Sequence, residues 1–214
     1  MNAEELLKRY AAGERDFHEA NLIGASLSKA FLIHICLACA NLKDIVLASA
    51  DLSGANLIGA NLDSACLLMA DLNGADLRGS KLTRARLTGA DLINANLENA
   101  NLGDTKMIGV NLTGANLHKA NLMEANLIDA CLDEANLEGA NLSEVKLRGA
   151  SLRRANLRGA FLCESNLQDA DLREADLRGA NFSGAFLCGA NREGAKLDKA
   201  TNLSGAIQFC IRQL

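Results

Sequence analysis

A period of five runs from Phe17 to Leu197 without one insertion. Its central position is Leu at all but four of thirty-seven sites, where Phe17, Met107, Phe182 and Arg192 stand instead. The residue two before it is small: Ala at all but seven sites from Ala20 to Ala200, with Ile35, Ile45, Ser80, Thr105, Val110, Val145 and Ser165 as the substitutes. This period excludes both regular structures as continuous elements. A helix turns by roughly 100° per residue, so five residues turn by about 140° and scatter the leucines around its circumference. In an unbroken strand an odd repeat sends successive leucines to opposite faces. The chain must therefore turn a corner every five residues.

Within a unit such as Ala50-Asp51-Leu52-Ser53-Gly54, the Ala-x-Leu spacing is that of a strand. Ala and Leu point inward and the residue between them points out. The last two residues make the corner, and Gly is frequent in the second of them, as at Gly54, Gly59 and Gly74. Asn or Asp usually stands between Ala and Leu, which suits bonding from side chain to turn backbone. Aromatics are 3% of the chain, with no Trp, so the core is a thin one of Leu and Ala. Pro is absent, as expected where backbone N–H groups bond to neighbouring coils.

The pattern resembles the pentapeptide-repeat family, whose unit is written A(D/N)LXX, over residues 16–200. The opening Glu5-Leu6-Leu7-Lys8-Arg9-Tyr10 through Phe17 is similar to the start of many cyanobacterial members. The resemblance implies an all-β solenoid, a right-handed quadrilateral parallel β-helix of about nine coils with four pentapeptides each. At ~4.8 Å per coil the rod would be roughly 45 Å long.

An open solenoid exposes apolar cross-sections, so its ends need covers. Residues 1–15 are expected to form a helical N-terminal cap, with Asn2 and Glu5 as a capping box, Leu6, Leu7 and Tyr10 on one face, and Gly13 ending the helix. Residues 16–200 form the β-helix. At Thr201 the register slips by one, and Ile207, Cys210, Ile211 and Leu214 then fall at helical spacing. Residues 201–214 are expected to be a second cap or a dimer-contact helix, giving a monomer or a homodimer joined at the C-terminal end.

The repeat leaves no interior volume for a substrate, and His18, His34 and His118 stand in no nucleophile or metalloprotease motif. An enzyme is not expected, nor any cofactor. His34-x-Cys36-x2-Cys39 has no second half-site and is read as repeat structure rather than a metal site. The seven cysteines are odd in number and irregularly spaced, so reduced thiols are expected. No signal segment or membrane-spanning run appears, which makes a cytoplasmic protein without membrane contact the expectation.

With four units per coil, residues twenty apart stack on one side of the rod. Two surfaces then stand out. Arg148, Arg153, Arg154, Arg158, Arg173 and Arg178 gather near one another, a candidate patch for an anion or an acidic partner, with Asp133–Arg153 and Glu138–Arg158 expected as cross-coil ion pairs. One side also departs from the repeat: Val46, Cys66, Arg86, Lys106 and Lys146 replace Asn or Asp, and Ala48, Leu68, Ile108 and Ile128 form the next column. An apolar strip edged by cations is a candidate partner surface.

These features point to a non-catalytic, rod-like interaction module for a protein partner not identifiable from the residues. The resemblance supplies an alternative, a branch that imitates duplex DNA and binds DNA gyrase. Duplex DNA carries a charge per ~1.7 Å, so a rod of this length would need on the order of 26 negative charges. The net charge here is -4, which disfavours that reading and gives no sign of a nucleic-acid binder. A structural rod without a specific partner is the third.

Overall fold

The computed structural model of the protein describes residues 1–208. A helix, α1 (Ala3–Ala11), precedes a solenoid in which single-residue parallel bridges join positions twenty apart, from Asp16↔Cys36 to Asp176↔Lys196. Four pentapeptides thus complete one turn of the chain. The bridges stack into four ladders, named here by one member each: the Val46, Asp51, Asn56 and Asn61 sides.

The backbone explains the repeat. Leu52 N–H bonds forward to Asp71 O at 2.7 Å, Asp71 N–H bonds back to Ala50 O at 2.9 Å, and Gly54 N–H reaches Asn73 O at 2.8 Å. The corner closes with Ala55 N–H on Leu52 O at 2.9 Å, while Gly54 has φ +63°. That is a four-residue turn with its third residue left-handed, as in type II. Non-glycine residues occupy the same left-handed position in more than half of the repeats, among them Glu124 at φ 60°.

The core follows the pattern. Central residues from Phe17 to Leu187 are buried, as are the small residues from Ile35 to Ala185. Ser80, Thr105 and Ser165 also point inward without leaving a bare hydroxyl. Each donates to the carbonyl three residues back, Leu77, Leu102 and Leu162, at 2.7 Å. A hydroxyl that closes its own turn is tolerated where Ala is routine.

At the N-terminus Asn2 Oδ1 accepts from Glu5 N–H at 2.8 Å, the predicted cap. Leu6 is fully buried against the first coil, and Tyr10 Oη donates to Ile33 O at 2.9 Å. Leu7 departs from the expectation. It is 39% exposed, because a helix turns by about 100° per residue and Leu7 lies off the face that Leu6 and Tyr10 share.

The C-terminal segment also departs. Asn181 pairs with Asn202 and Phe186 with Ile207, twenty-one residues apart. The slip at Thr201 is thus absorbed as one extra residue, and 201–207 continue the coil instead of opening a helix. Ile207 belongs to a rung, and Cys210, Ile211 and Leu214 of the expected dimer contact lie outside the described residues. Arg192, in the place of a Leu, is half-buried and donates through Nη2 to Gln208 Oε1 at 3.0 Å. Cys36, Cys39, Cys66, Cys131 and Cys163 are free thiols, whereas Cys188 is disulfide-bonded, contrary to the expectation of reduced thiols throughout. Among the described residues no helix is long and apolar enough to cross a membrane.

Candidate functional site

In each repeat the residue after Leu has an outward-facing N–H that the coil-to-coil bonds do not use. In most repeats a side chain covers it. Asn56 Oδ1 accepts from Ile58 N–H at 3.2 Å, Asn136 Oδ1 from Glu138 N–H at 3.3 Å, and Asp51 Oδ1 from Ser53 N–H at 3.0 Å. The asparagines also bond up the ladder: Asn116 Nδ2 donates to Asn96 Oδ1 at 3.0 Å and Asn136 Nδ2 to Asn116 Oδ1 at 3.1 Å. This is why Asn or Asp stands between Ala and Leu, one oxygen capping a turn and one amide joining the coils.

The Val46 side lacks that cover. The ladder Ser26, Val46, Cys66, Arg86, Lys106 holds no Asn or Asp, and the amides of Ser28, Ala48, Leu68, Thr88 and Ile108 make no hydrogen bond among the described residues. Five consecutive coils therefore present a bare N–H on one line. Ile128 and Gln168 are capped again by Asn126 and Asn166, whereas Arg148, after Lys146, is not. On the other three sides bare amides at this position are isolated, at Ile33, Ala38, Asp133 and Cys163. Sequence reading had flagged the unusual side chains without the amides they leave open; the signal was the run without Asn or Asp.

The bridges place Val46, Cys66, Arg86, Lys106 and Lys146 in one ladder, with Ala48, Leu68, Ile108 and Ile128 alongside. Ile108 is 40% exposed and Met69, at the adjoining corner, 66%. A shallow depression lined by Ile128, Val145, Lys146, Arg148 and Phe186 extends the strip, and Glu144 and Glu164 border it at the Asn61 corner. Arg86, Lys106, Lys146 and Arg148 form no ion pair and no side-chain hydrogen bond among the described residues. With Lys29 they outnumber the side's two carboxylates, Asp129 and Asp169, so this side is net positive on a chain of net charge -4.

The arginine cluster is the reverse. Arg153 pairs with Asp133 at 3.0 Å, as expected, and Arg154 lies between Glu174 at 3.0 Å and Glu134 at 3.6 Å. Arg173 and Arg178 each grip the aspartate two residues earlier at 2.5 Å. The hydrogen bond from Arg178, ahead of the charge itself, pushes the Asp176 carboxyl down to about 2, and Arg173 lowers Asp171 in the same way. Glu138 does not meet Arg158: it accepts from Asn156 Nδ2 at 3.1 Å, and Arg158 forms no ion pair among the described residues. The groove lined by Asp133, Glu134, Arg153, Arg154, Arg173 and Glu174 is therefore mixed in charge rather than a cationic patch.

Among the described residues no group of His, Cys, Asp and Glu is placed to hold a metal ion. His18 bonds Asp16 at 2.9 Å in solvent, and that bond raises the imidazole above its usual range; His34 packs toward Gly54. Cys36 and Cys66 lie on different sides of the rod.

A model of pentapeptide repeats matches in eight copies, in segments running from residue 40 to residue 205. No curated protein matches the chain. Among solved structures it is 35% identical to HetL, a pentapeptide repeat protein involved in heterocyst differentiation regulation from the cyanobacterium Nostoc sp. strain PCC 7120, over 97% of this chain and 94% of that one, with a TM-score of 0.49. It is 18% identical to full-length QnrB1, a plasmid-mediated fluoroquinolone resistance protein, over 86% and 94% of the two chains, TM-score 0.39. Rfr23, a pentapeptide repeat protein from the cyanobacterium Cyanothece 51142, is 28% identical over 60% and 63%, TM-score 0.24. The repeat match along most of the length and the parallel ladders agree: the chain belongs to the pentapeptide-repeat family, the right-handed β-helix solenoids.

Proposed function

We propose that the chain is a non-catalytic interaction module, a capped rod of about nine coils that holds a protein partner against its Val46 side. The observation that carries this reading is the contrast in self-satisfaction between the candidate surfaces. Arg153, Arg154, Arg173 and Arg178 of the arginine cluster are neutralised by neighbouring carboxylates, whereas Arg86, Lys106, Lys146 and Arg148 have no ion-pair or hydrogen-bond partner for their side chains among the described residues, and Ile108 is exposed on the same side. Unpaired cations beside an apolar strip fit the rim and centre of a docking surface. A regulatory task is the companion reading, since HetL is described as involved in regulation of differentiation.

The test is affinity capture from the source cell with the wild-type chain and with a Leu68→Gln/Ile108→Gln variant. Both side chains point out of the coil, so the variant is expected to keep its melting temperature and lose the partner. Retention of every partner by a folded variant refutes the assignment of this side.

A further inference from the structure

Resting on that reading, we infer that the partner segment is an acidic amphipathic helix laid along the rod, its carboxylates taking the places that Asn and Asp leave empty on the Val46 side. In most repeats of the other sides a side-chain oxygen from the ladder position caps the N–H two residues on. On the Val46 side the ladder position holds a cation at three coils where that N–H is bare: Arg86 before Thr88, Lys106 before Ile108, Lys146 before Arg148. An open amide donor and a cation two residues apart make an acceptor site for an anion, since a carboxylate has two oxygens and bonds to charged donors are the strong ones.

The molecule contains a related site already filled, in which the amide and the cation belong to one residue. Asp133 Oδ1 accepts from Arg153 N–H at 3.1 Å while its Oδ2 accepts from Arg153 Nε at 3.0 Å. There one carboxylate, supplied by the coil before, meets both the turn amide and the cation. At Thr88, Ile108 and Arg148 the amide and the cation are present and no carboxylate among the described residues serves them.

Spacing selects the shape of the segment. Adjacent coils are about 4.8 Å apart, so the three sites lie along the axis at 0, about 4.8 and about 14.4 Å. A helix rising 1.5 Å per residue places residues i, i+3 and i+10 at 0, about 4.5 and about 15 Å, whereas a strand advances about 6.7 Å between residues on one face. An apolar row beside the acidic one would rest on Leu68, Ile108 and Ile128. Nucleic acid fits less well. The strip is aliphatic rather than aromatic and offers no ring on which a base could stack.

The probe is a helical peptide of about eighteen residues, roughly 27 Å long, with Glu at i, i+3 and i+10 and an adjacent leucine row, alongside Gln and Lys versions and a single-stranded oligonucleotide. Binding is followed by amide chemical shifts and calorimetry on the full chain. The variant is Arg86→Asn/Lys106→Asn/Lys146→Asn, which restores the residue used elsewhere and so is expected to fold as well as the parent. The expected result is that the Glu peptide shifts the Thr88, Ile108 and Arg148 amides, weakens as salt rises, and loses at least tenfold in affinity on the variant. Equal binding to parent and variant, no binding of the Glu peptide, or shifts confined to other sides overturns the inference. Preference of these amides for the Gln or Lys peptide, or for the oligonucleotide, overturns the acidic helix while leaving a binding surface on this side. Retention of all captured partners after Leu68→Gln/Ile108→Gln removes the surface itself.

Discussion

Arg178 holds Asp176 across a single residue, Nε on Oδ1 at 2.8 Å and Nη2 on Oδ2 at 2.5 Å, and Asp176 also caps Arg178 N–H at 3.3 Å. One carboxylate thus does the work of an asparagine cap and neutralises a neighbouring guanidinium.

The pair implies an acid limit. Asp176 is lowered to about 2 in the fold, so its contribution is present above the unfolded carboxylate range near 4 and is lost as pH falls through about 2. Asp176→Asn keeps the cap and removes the charge. Its melting temperature is expected to lie about 2 °C below the parent at pH 6, with the gap closing between pH 4 and 2. A gap constant with pH refutes the ion pair.

Inside the rod, volume and polarity separate. Leu117 is fully buried, and Leu117→Ala is expected to cost about 2–5 kcal/mol, read as a fall in the urea midpoint. Thr105→Val is expected to stay within about 1 kcal/mol of the parent. Valine occupies the equivalent positions 110 and 145, and Leu102 O keeps Thr105 N–H as a partner at 3.3 Å.

Backbone strain gives a pair of opposite signs. Glu124 has φ 60° and no ion pair among the described residues, so Glu124→Gly is expected to stabilise by roughly 0.5–1 kcal/mol, the left-handed penalty exceeding the entropy that glycine adds to the unfolded chain. Gly74 has φ +65° and open space where a Cβ would go, so Gly74→Val is expected to destabilise by about 1–2 kcal/mol through conformation alone. Denaturant titration of both variants decides, and a shared sign would contradict the turn geometry.

The N-terminal cover predicts a change in association. Leu6→Asp places a charge where a side chain is fully buried, which should detach α1 and bare the first coil. Size-exclusion chromatography is expected to show larger species at micromolar concentration. An unchanged elution volume with an unchanged melting temperature would mean that α1 does not protect the end.

Much was legible in the residues because a five-residue unit has few ways to bury Leu and Ala together. The inward column and the corner at each fifth residue follow from the period, whereas the stacking of positions twenty apart, and with it the Asp133–Arg153 pair, follows from the family resemblance. Leu7 and Ile207 were misplaced for one reason: short segments at helical spacing do not reveal which face meets the coil, or whether a slip of one residue ends the ladder. The Glu138–Arg158 pair failed because a long side chain chooses among partners within reach, and Asn156 was the nearer donor.

The sequence by itself therefore determined a rod that turns a corner every five residues and its core of Leu and Ala, since these depend on periodicity, while its four sides entered through the resemblance to the pentapeptide-repeat family. The tertiary structure decided which surface satisfies itself. Whether an arginine is neutralised or a turn N–H is covered depends on which atoms come within reach in the folded coils, and those contacts left the Val46 side with cations and amides that have no partner among the described residues.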